Sequence, residues 1–244
     1  MRVTPTIHVY GCLAVLIMIE KRDFMDGSTA AVILAAGSSS RMGGGRHKLL
    51  LPLDGRPVLA HVIEAALASQ ARPIVVVLGH QAEKVRAEMA AYFERPGIIV
   101  VENRDYLQGM STSMRAGLGV LIGEGKVHSA LIMLGDQPLI TARVIDTLID
   151  TARTGRKRIV APLYGGKRGG PTLFGASFFG ELMEISGDEG GRKVLEKYRK
   201  EVVMVELGDV ADVAANYDVD TWEAYQEVLE AWQRKRENRE SRGE

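Results

Sequence analysis

Short apolar runs alternate along the chain with longer segments in which apolar residues recur every three or four positions. The runs are rich in Val, Ile and Leu and indicate strands, whereas the longer spacing is typical of helices. We predict strands at residues 74–78, 98–101, 130–134, 158–162 and 202–207. We predict helices at residues 60–68, 81–93, 141–152, 177–185 and 191–198, and a last helix after Thr221. This alternation favours a three-layer α/β fold with a mostly parallel central sheet.

The stretch from Ala31 to Lys48 begins as a further buried strand and then breaks into glycine and serine. Gly37 permits a sharp turn and a close approach of a ligand to the backbone. Three serines follow it, and Arg41 and Lys48 add positive charge. Oriented amides and cations together stabilise a polyanion, so we predict a phosphate-binding loop. Neither the Walker pattern nor the dinucleotide fingerprint is present.

Three more polar motifs follow predicted strands, at Gly79, Ser111 and Asp136. Ligands of parallel sheets bind beyond the carboxyl ends of the strands, so these motifs and Gly37 should meet on one rim. Asp136, in Gly-Asp-Gln-Pro, suits Mg²⁺, which takes one or two carboxylates together with phosphate oxygens and waters. A helix-capping role is the alternative for this aspartate.

Asp218 and Asp220 alternate in a short extended segment ahead of the last helix. Alternate side chains of an extended chain share a face, so both carboxylates can point at one spot. A helix cap is again the alternative for one of the pair.

The pattern Leu-Ala-Ala-Gly-x-x-x-Arg-Met-Gly, followed by Lys-Leu-Leu-x-Pro-Leu, resembles the MobA-like nucleotidyltransferases. Within them it is most similar to the molybdenum cofactor cytidylyltransferases. The resemblance implies a Rossmann-like nucleotidyltransferase fold, Mg²⁺ dependence, and Arg41, Lys48 and Asp136 as catalytic residues. It also implies a nucleotide site formed by Leu34, Ala35, Ala36, Gly37, Ser38, Ser39, Arg41, Lys48, Gly79, Ser111, Ser113 and Asp136. The segment Asp218-Val219-Asp220-Thr221 resembles the family's Asp-x-Asp-Thr, which implies a metal held by Asp136 with Asp220 or Asp218, with Asp220 favoured.

Ala36 matches the cytidylyl form of the loop, where guanylyl relatives tend to carry glycine, and this favours CTP. For the acceptor, the resemblance implies a site at Gly170, Pro171, Gly187, Asp188 and Arg192. Gly170 stands where the family usually carries His or Asn before Pro, so a polar side chain is missing there. The run of glycines after Met42 also makes the segment before Lys48 longer than in the family.

Composition and charge narrow the function classes. The chain has 244 residues, 46% of them apolar, and its formal net charge of +0 provides no general attraction for nucleic acid or anionic membrane. One cysteine, Cys12, excludes a disulfide framework and suits a reducing cytoplasm. We expect residues 1–27 to be an N-terminal extension outside the fold, residues 28–232 to form the catalytic domain, and residues 233–244 to be a charged tail.

We therefore expect an enzyme that transfers CMP from CTP to the phosphate of a molybdopterin-type cofactor and releases pyrophosphate. Its expected partners are CTP and a phosphorylated pterin-type acceptor, with transient contact to a molybdoenzyme or its chaperone. Three alternatives stay open: a sugar or alcohol phosphate as acceptor, GTP as donor, and a non-catalytic chaperone that inserts the cofactor. Loss of Lys48, Asp136 or Asp220 would have favoured the last, and all three are present.

Overall fold

The computed structural model describes residues 7–8, 28–43, 46–123, 127–155, 158–188, 190–207 and 217–242. The predicted N-terminal extension lies outside the described residues except for Ile7–His8, and so do Cys12, Gly44 and Gly45. The strands are β1 Ile7–His8, β2 Ser28–Ala35, β3 Pro52–Leu53, β4 Arg56–Pro57, β5 Ile74–Leu78, β6 Ile98–Glu102, β7 Val127–Leu134, β8 Ile159–Tyr164, β9 Lys167–Arg168, β10 Thr172–Gly175 and β11 Val202–Leu207. The helices are α1 Val58–Ala68, α2 Ala82–Glu88, α3 Ala90–Phe93, α4 Met110–Ile122, α5 Ala142–Thr154, α6 Phe179–Glu184, α7 Arg192–Lys197 and α8 Trp222–Arg242.

The described strands other than β3 and β4 form one sheet in the order β1-β6-β5-β2-β7-β10-β8-β11, with β9 beside β8. Neighbours pair in parallel except at β10 and β9, which run antiparallel to the strands beside them. The chain passes from β2 to β5 and β6 on one side and then returns to β7 on the other. Adjacent strands whose connections diverge leave a crevice beyond their carboxyl ends, and here these strands are β2 and β7.

Helices cover both faces of this sheet, which is why its central strands are apolar throughout. All five residues of β5 are buried, as are seven of the eight in β2. Neighbouring residues of β2 enter different cores because strand side chains alternate between faces. Ile33 packs with Leu59 of α1 and Leu148 of α5, while Val32 packs with Leu118 of α4 on the opposite side. The predicted three-layer α/β fold is confirmed.

A third, smaller hydrophobic cluster lies beside these two layers. It joins Met42, just after the phosphate-binding loop, to Leu139 and Val219, and to the buried face of α8 through Tyr225 and Val228. This cluster anchors the chain segments on either side of the polar motifs. The polar side chains can therefore be held in place although the segments that carry them are not strands of the sheet.

Most predicted elements are present with boundaries shifted by one to three residues. Thr141 caps α5, since its Oγ1 accepts a hydrogen bond from the Val144 amide at 3.3 Å. The predicted helix at 81–93 is divided at Met89, which is a boundary between α2 and α3. Strand β10 was not predicted, because its four residues follow a glycine-rich turn and carry no period of their own.

Helix α8 continues through most of the predicted charged tail as far as Arg242. Thr221 caps its start, accepting a hydrogen bond from the Ala224 amide at 3.2 Å. Its length does not make it a membrane element, because charged residues recur along it. Among the described residues, no helix combines the length and the apolar character that a membrane span requires.

Candidate active site

A cleft of about 570 Å³ opens beyond the carboxyl ends of β2 and β7, where the diverging connections leave space. The motifs after β2, β6 and β7 contribute to its walls, together with the segment before α8. The lining residues are Leu34, Ala35, Ala36, Gly37, Ser38, Ser39, Ser40, Arg41, Lys48, Leu49, Tyr106, Leu107, Gly109, Met110, Ser113, Leu134, Asp136, Asp188, Asp218 and Asp220. Of the four motifs expected on one rim, those at Gly37 and Asp136 line this cleft, whereas Gly79 and Ser111 are not among the lining residues.

The loop after β2 is braced at both ends. Ser39 turns the chain in the left-handed region, with φ of 53°, and a short 3₁₀ helix at Ser40–Met42 follows. Met42 is buried in the third cluster, which holds the far end of the loop. The Ser39 Oγ accepts a hydrogen bond from the Lys48 amide at 3.1 Å. The loop and the lysine therefore form one unit even though residues 44 and 45 separate them.

Lys48 is the centre of an ion-pair cluster on the cleft floor. Its Nζ contacts Oδ2 of Asp136 and lies 2.7 Å from Oδ1 of Asp220. Arg41 approaches the other oxygen of Asp220, with Nη1 to Oδ2 at 3.0 Å. The Lys48 and Asp136 side chains are only 13% and 11% exposed, whereas Arg41 is 70% exposed. One largely shielded cation, Lys48, and one surface cation, Arg41, thus meet two carboxylates.

The pKa values of these groups follow from burial and from the pairing. Burial opposes the charge of Lys48, but Asp136 and Asp220 outweigh it and raise the lysine pKa above its ordinary value. Burial likewise works against ionised Asp220, but Lys48 and Arg41 lower its pKa. Burial, with the nearby charges of Asp136 and Asp220, raises the pKa of Asp218 to about 6 despite a hydrogen bond from Gln137.

The segment 217–220 places its two aspartates as its alternation predicts. Val219 is fully buried in the third cluster, and its amide donates to the Asp136 carbonyl at 2.9 Å. Asp218 and Asp220, on either side of it, both line the cleft. Gln137 donates its Nε2 proton to Asp218 Oδ1. The buried valine is the reason that both carboxylates turn outward.

The loop after β5 supports this floor from the side. His47 is buried and stacks on His80 with ring centroids 5.8 Å apart, and its Nε2 lies 3.2 Å from the His80 carbonyl oxygen. Burial lowers the pKa of His47, which favours the neutral ring. Gly79 does not line the cleft itself. A Cβ there would meet the Ala36 methyl at 2.6 Å and Tyr106 Cβ at 2.9 Å, so only glycine lets these walls approach.

The start of α4 forms the opposite wall of the cleft, and the loop that carries Asp188 packs against it. The Met110 amide donates to Asp188 Oδ1 at 3.0 Å, and the Ser111 amide donates to the Gly187 carbonyl at 3.0 Å. Gly109, with φ of 109°, has no room for a side chain, because a Cβ would lie 2.5 Å from the Gly187 carbonyl carbon. A predicted acceptor segment thus contacts a predicted nucleotide segment directly.

The predicted serines of α4 differ in their surroundings. Ser113 lines the cleft, and its Oγ accepts a hydrogen bond from Asn103 Nδ2 at 3.0 Å. Ser111 is 1% exposed and does not line the cleft, and its buried Oγ has no hydrogen-bond partner among the described residues. The neighbouring loop forms its hydrogen bond with the backbone amide of Ser111 rather than with the hydroxyl.

The remaining predicted acceptor residues lie away from the cleft lining. Tyr164 Oη donates to the Gly170 carbonyl at 2.7 Å, and Pro171 follows in a buried position. A Cβ on Gly170 would lie 3.0 Å from Gln137 Oε1, a buried oxygen that lacks a partner in the described part of the chain. Arg192 is 71% exposed and pairs with Glu196 at 3.0 Å, one turn along α7.

Sequence reasoning did not select Tyr106, Leu107 or Gln137 as site residues. Tyr106 and Leu107 lie in a 3₁₀ turn ahead of Gly109, and Leu107 is 79% exposed. The signal available in the sequence was Leu107, an apolar residue within the polar stretch that follows a strand. Gln137 directly follows Asp136, but nothing local reveals that it faces both Asp218 and Gly170.

A sequence model of one family, the MobA-like NTP transferase domain, matches residues 31–202. This chain belongs to that family. The match covers the phosphate-binding loop, Lys48, Asp136 and the segment around Asp188, and it confirms the family resemblance. Asp218 and Asp220 lie beyond its end.

The bifunctional protein GlmU of Burkholderia orbicola is a relative of this chain and is 40% identical to it over 129 residues. That match covers 53% of this chain and 27% of the relative, so the chain spans about a quarter of the length of that curated relative. Rv0371c from Mycobacterium tuberculosis H37Rv has a similar structure, with a TM-score of 0.72 and 30% identity, over 84% of this chain and all of that one.

A second structure of Rv0371c is a complex with manganese, at 29% identity and a TM-score of 0.67, covering 83% of this chain and 98% of that one. The 4-diphosphocytidyl-2C-methyl-D-erythritol synthase of Anaerococcus prevotii has a TM-score of 0.66 at 16% identity, over 85% of this chain and 97% of that one. This last likeness shows the fold alone. The family match places the chain among the nucleotidyltransferases, and the structural likenesses agree with its Rossmann-like fold.

Proposed function

We propose that this nucleotidyltransferase transfers CMP from CTP to the phosphate of a molybdopterin-type cofactor, in a Mg²⁺-dependent reaction that releases pyrophosphate. One observation carries the proposal: a single cleft joins the glycine and serine loop to the cluster of Arg41, Lys48, Asp136 and Asp220. Amides and cations on one side suit a triphosphate, and carboxylates on the other suit a metal bound to that triphosphate.

The carboxylates fit Mg²⁺ in number and in chemistry. Asp136 and Asp220 already share one cation, the Lys48 ammonium, so their oxygens converge. No group of three or more His, Cys, Asp or Glu that could hold a metal is found within the described ranges. Mg²⁺ does not require such a cage, because substrate phosphates and waters complete its octahedron. The manganese complex of Rv0371c supports a divalent ion in this proposal.

The reaction that we propose depends on positioning and charge. An oxygen of the acceptor phosphate attacks the α-phosphorus of CTP in line, and the bond from the α-phosphorus to the β-bridging oxygen breaks. Arg41, Lys48 and the loop amides hold the triphosphate and offset the charge of the leaving pyrophosphate. Asp136 and Asp220 would hold Mg²⁺, which would supply further positive charge for the transition state. The attacking phosphate is already ionised, so these residues need not remove a proton.

The choice of CTP rests on the loop after β2. Ala36 lines the cleft, and its methyl packs against Gly79. In this proposal the methyl limits the space for the base beside the loop. A pyrimidine needs less space there than a purine. GTP stays the alternative donor, and Ala36 is the residue that argues against it.

A sugar phosphate acceptor is the second candidate, favoured by the 40% identity to GlmU over 129 residues. Position 170 offers no polar side chain to a sugar phosphate or to a molybdopterin-type acceptor, because Gly170 stands there. We keep the molybdopterin-type acceptor first because of the resemblance at the phosphate-binding loop. A non-catalytic chaperone is disfavoured, since Lys48, Asp136 and Asp220 are assembled in one cleft.

The decisive experiment follows pyrophosphate release with each of the four nucleoside triphosphates, Mg²⁺, and either molybdopterin-type cofactor or a sugar 1-phosphate. We expect release with CTP and the pterin cofactor, and a cytidylylated product by mass spectrometry. Release only with a sugar phosphate would assign the second candidate. No release from any pair, with intact triphosphate binding, would contradict an enzymatic role.

A further inference from the structure

The Lys48 ammonium lies between the two carboxylates that we propose as metal ligands. It contacts both Asp136 and Asp220, and it is largely shielded from water, with 13% of its side chain exposed. Two carboxylates this close repel each other unless a cation lies between them. In this structure, the lysine is that cation.

The lysine stem also runs beside the phosphate-binding loop. A Cβ on Gly37 would lie 4.0 Å from Lys48 Cε, and the Lys48 amide is tied to Ser39. The backbone of Lys48 is thus fixed, while its ammonium sits at the end of a flexible four-carbon stem. A small rotation of that stem would take the ammonium from the carboxylates to an anion held by the loop.

We infer that Lys48 is the built-in counter-ion of the metal-free cleft, which holds Asp136 and Asp220 together and competes with a divalent metal until a triphosphate draws it away. This inference deepens the proposed function, because it rests on a divalent metal at the same two aspartates. It implies that metal and triphosphate assist each other's binding. Metal binding frees the Lys48 ammonium to contact the triphosphate, and triphosphate binding frees Asp136 and Asp220 to bind the metal. Such coupling is reciprocal.

The test measures Mn²⁺ binding without nucleotide, by the loss of the free Mn²⁺ signal in electron paramagnetic resonance and by calorimetry. Lys48→Met removes the competing ammonium, so we expect Mn²⁺ to bind it roughly tenfold more tightly than wild type. Arg41→Met removes an exposed charge that pairs with Asp220 alone, and should change the affinity less. Lys197→Met breaks a lysine ion pair with Glu181 outside the cleft, and should leave Mn²⁺ affinity unchanged.

The second measurement adds saturating CTP. In wild type, CTP should tighten Mn²⁺ binding by roughly 5- to 150-fold, the usual range for coupled ligands. In Lys48→Met this gain should shrink, because Mn²⁺ no longer has to displace an ammonium from the carboxylates. Equal or weaker Mn²⁺ binding by Lys48→Met without nucleotide would overturn the inference.

Two further outcomes separate this inference from the proposed function. If wild type with CTP binds no Mn²⁺, the metal-dependent proposed function fails, and the inference fails with it. If wild type with CTP binds Mn²⁺ but Lys48→Met shows no gain alone, only the role of Lys48 as counter-ion fails. Should Lys48→Met not fold, Lys48→Gln, which keeps an N–H donor between the carboxylates, is judged by the same criteria.

Discussion

Two regions of the molecule differ in how their charged and polar groups are paired. The proposed nucleotide half holds Lys48, Asp136 and Asp220 in the cleft, and the proposed acceptor half holds Gln137 and Gly170 outside the cleft lining. In the nucleotide half, Asp136 and Asp220 both pair with Lys48 beyond the carboxyl ends of β2 and β7, which run parallel to each other. In the acceptor half, next to the antiparallel strand β10, Gln137 keeps a buried oxygen without a partner in the described chain, beside Gly170. Ser111 beside the first half also keeps a buried oxygen without a partner in the described chain, so the difference lies in the charged groups. We propose that the charges of the first half are arranged before substrate arrives, and that the acceptor supplies the donor that Gln137 lacks.

This difference has a physical basis in cost. A buried polar oxygen without a donor costs about 1–3 kcal/mol, so a folded protein rarely keeps one without compensation. A charge cluster left unpaired would cost more, and the nucleotide half avoids that by pairing Lys48 twice. The contrast predicts that substitutions in the first half affect turnover, and those in the second affect acceptor recognition.

The largest effect should come from Asp136→Asn, which keeps the shape of the side chain and removes its charge. We expect turnover to fall by roughly 10²- to 10³-fold, as for the loss of one electrostatic group in a water-excluded site. Steady-state pyrophosphate release at saturating Mg²⁺ measures it. Asp150→Asn, an exposed aspartate on α5, is the matched control. Unchanged turnover would remove Asp136 from the machinery of the nucleotide half.

The next effect concerns the base. Ala36→Gly widens the passage beside Gly79, so the preference for CTP over GTP should fall by roughly tenfold, the lower end of what one methyl group provides. The measurement is kcat/KM for both triphosphates at a saturating acceptor concentration. Ala90→Gly, on the exposed side of α3, controls for the added backbone freedom. A wild type that prefers GTP would show that the cytidylyl assignment is wrong.

A smaller effect is expected from Gln137→Met in the acceptor half. The change removes the unpartnered oxygen near Gly170 and the hydrogen bond to Asp218. We expect KM for the acceptor to rise roughly fivefold, about the net value of one hydrogen bond, with KM for CTP nearly constant. The surface variant Gln70→Met is the control. An equal rise in both KM values would erase the distinction between the halves.

The smallest effect concerns stability and pH. Asp218 has its pKa raised to about 6 in the folded protein, so between pH 4 and 6 the folded state binds more protons than the unfolded state. The free energy of unfolding therefore falls as pH rises through this window. Asp218→Asn removes this cost and should stabilise the metal-free protein at pH 7.5 by on the order of 1–2 kcal/mol.

Urea unfolding in the presence of a chelator measures this difference at pH 7.5 and again below pH 4. At the lower pH the carboxyl group is protonated in both states, so wild type and Asp218→Asn should have nearly equal stabilities. A variant that is less stable than wild type at pH 7.5 would show that the charge of Asp218 is favourable in the folded protein.

The sequence by itself determined the layers of the fold and indicated the residues after β2 and β7 that line the cleft. Short, continuous apolar runs such as residues 74–78 indicate strands covered on both faces, and polar residues that follow parallel strands lie at one sheet edge. The alternation of Asp218 and Asp220 about Val219 is likewise local, which is why both carboxylates could be predicted to share a face.

Only the tertiary structure decided the rest. The insertion of β10 between β7 and β8, and the contact of Gln137 with both Asp218 and Gly170, join residues far apart in the chain. No local period encodes them, because they depend on strand order. The bridge that Lys48 makes between Asp136 and Asp220 has the same origin: the sequence supplies three charges, and packing of the third cluster brings them within contact distance.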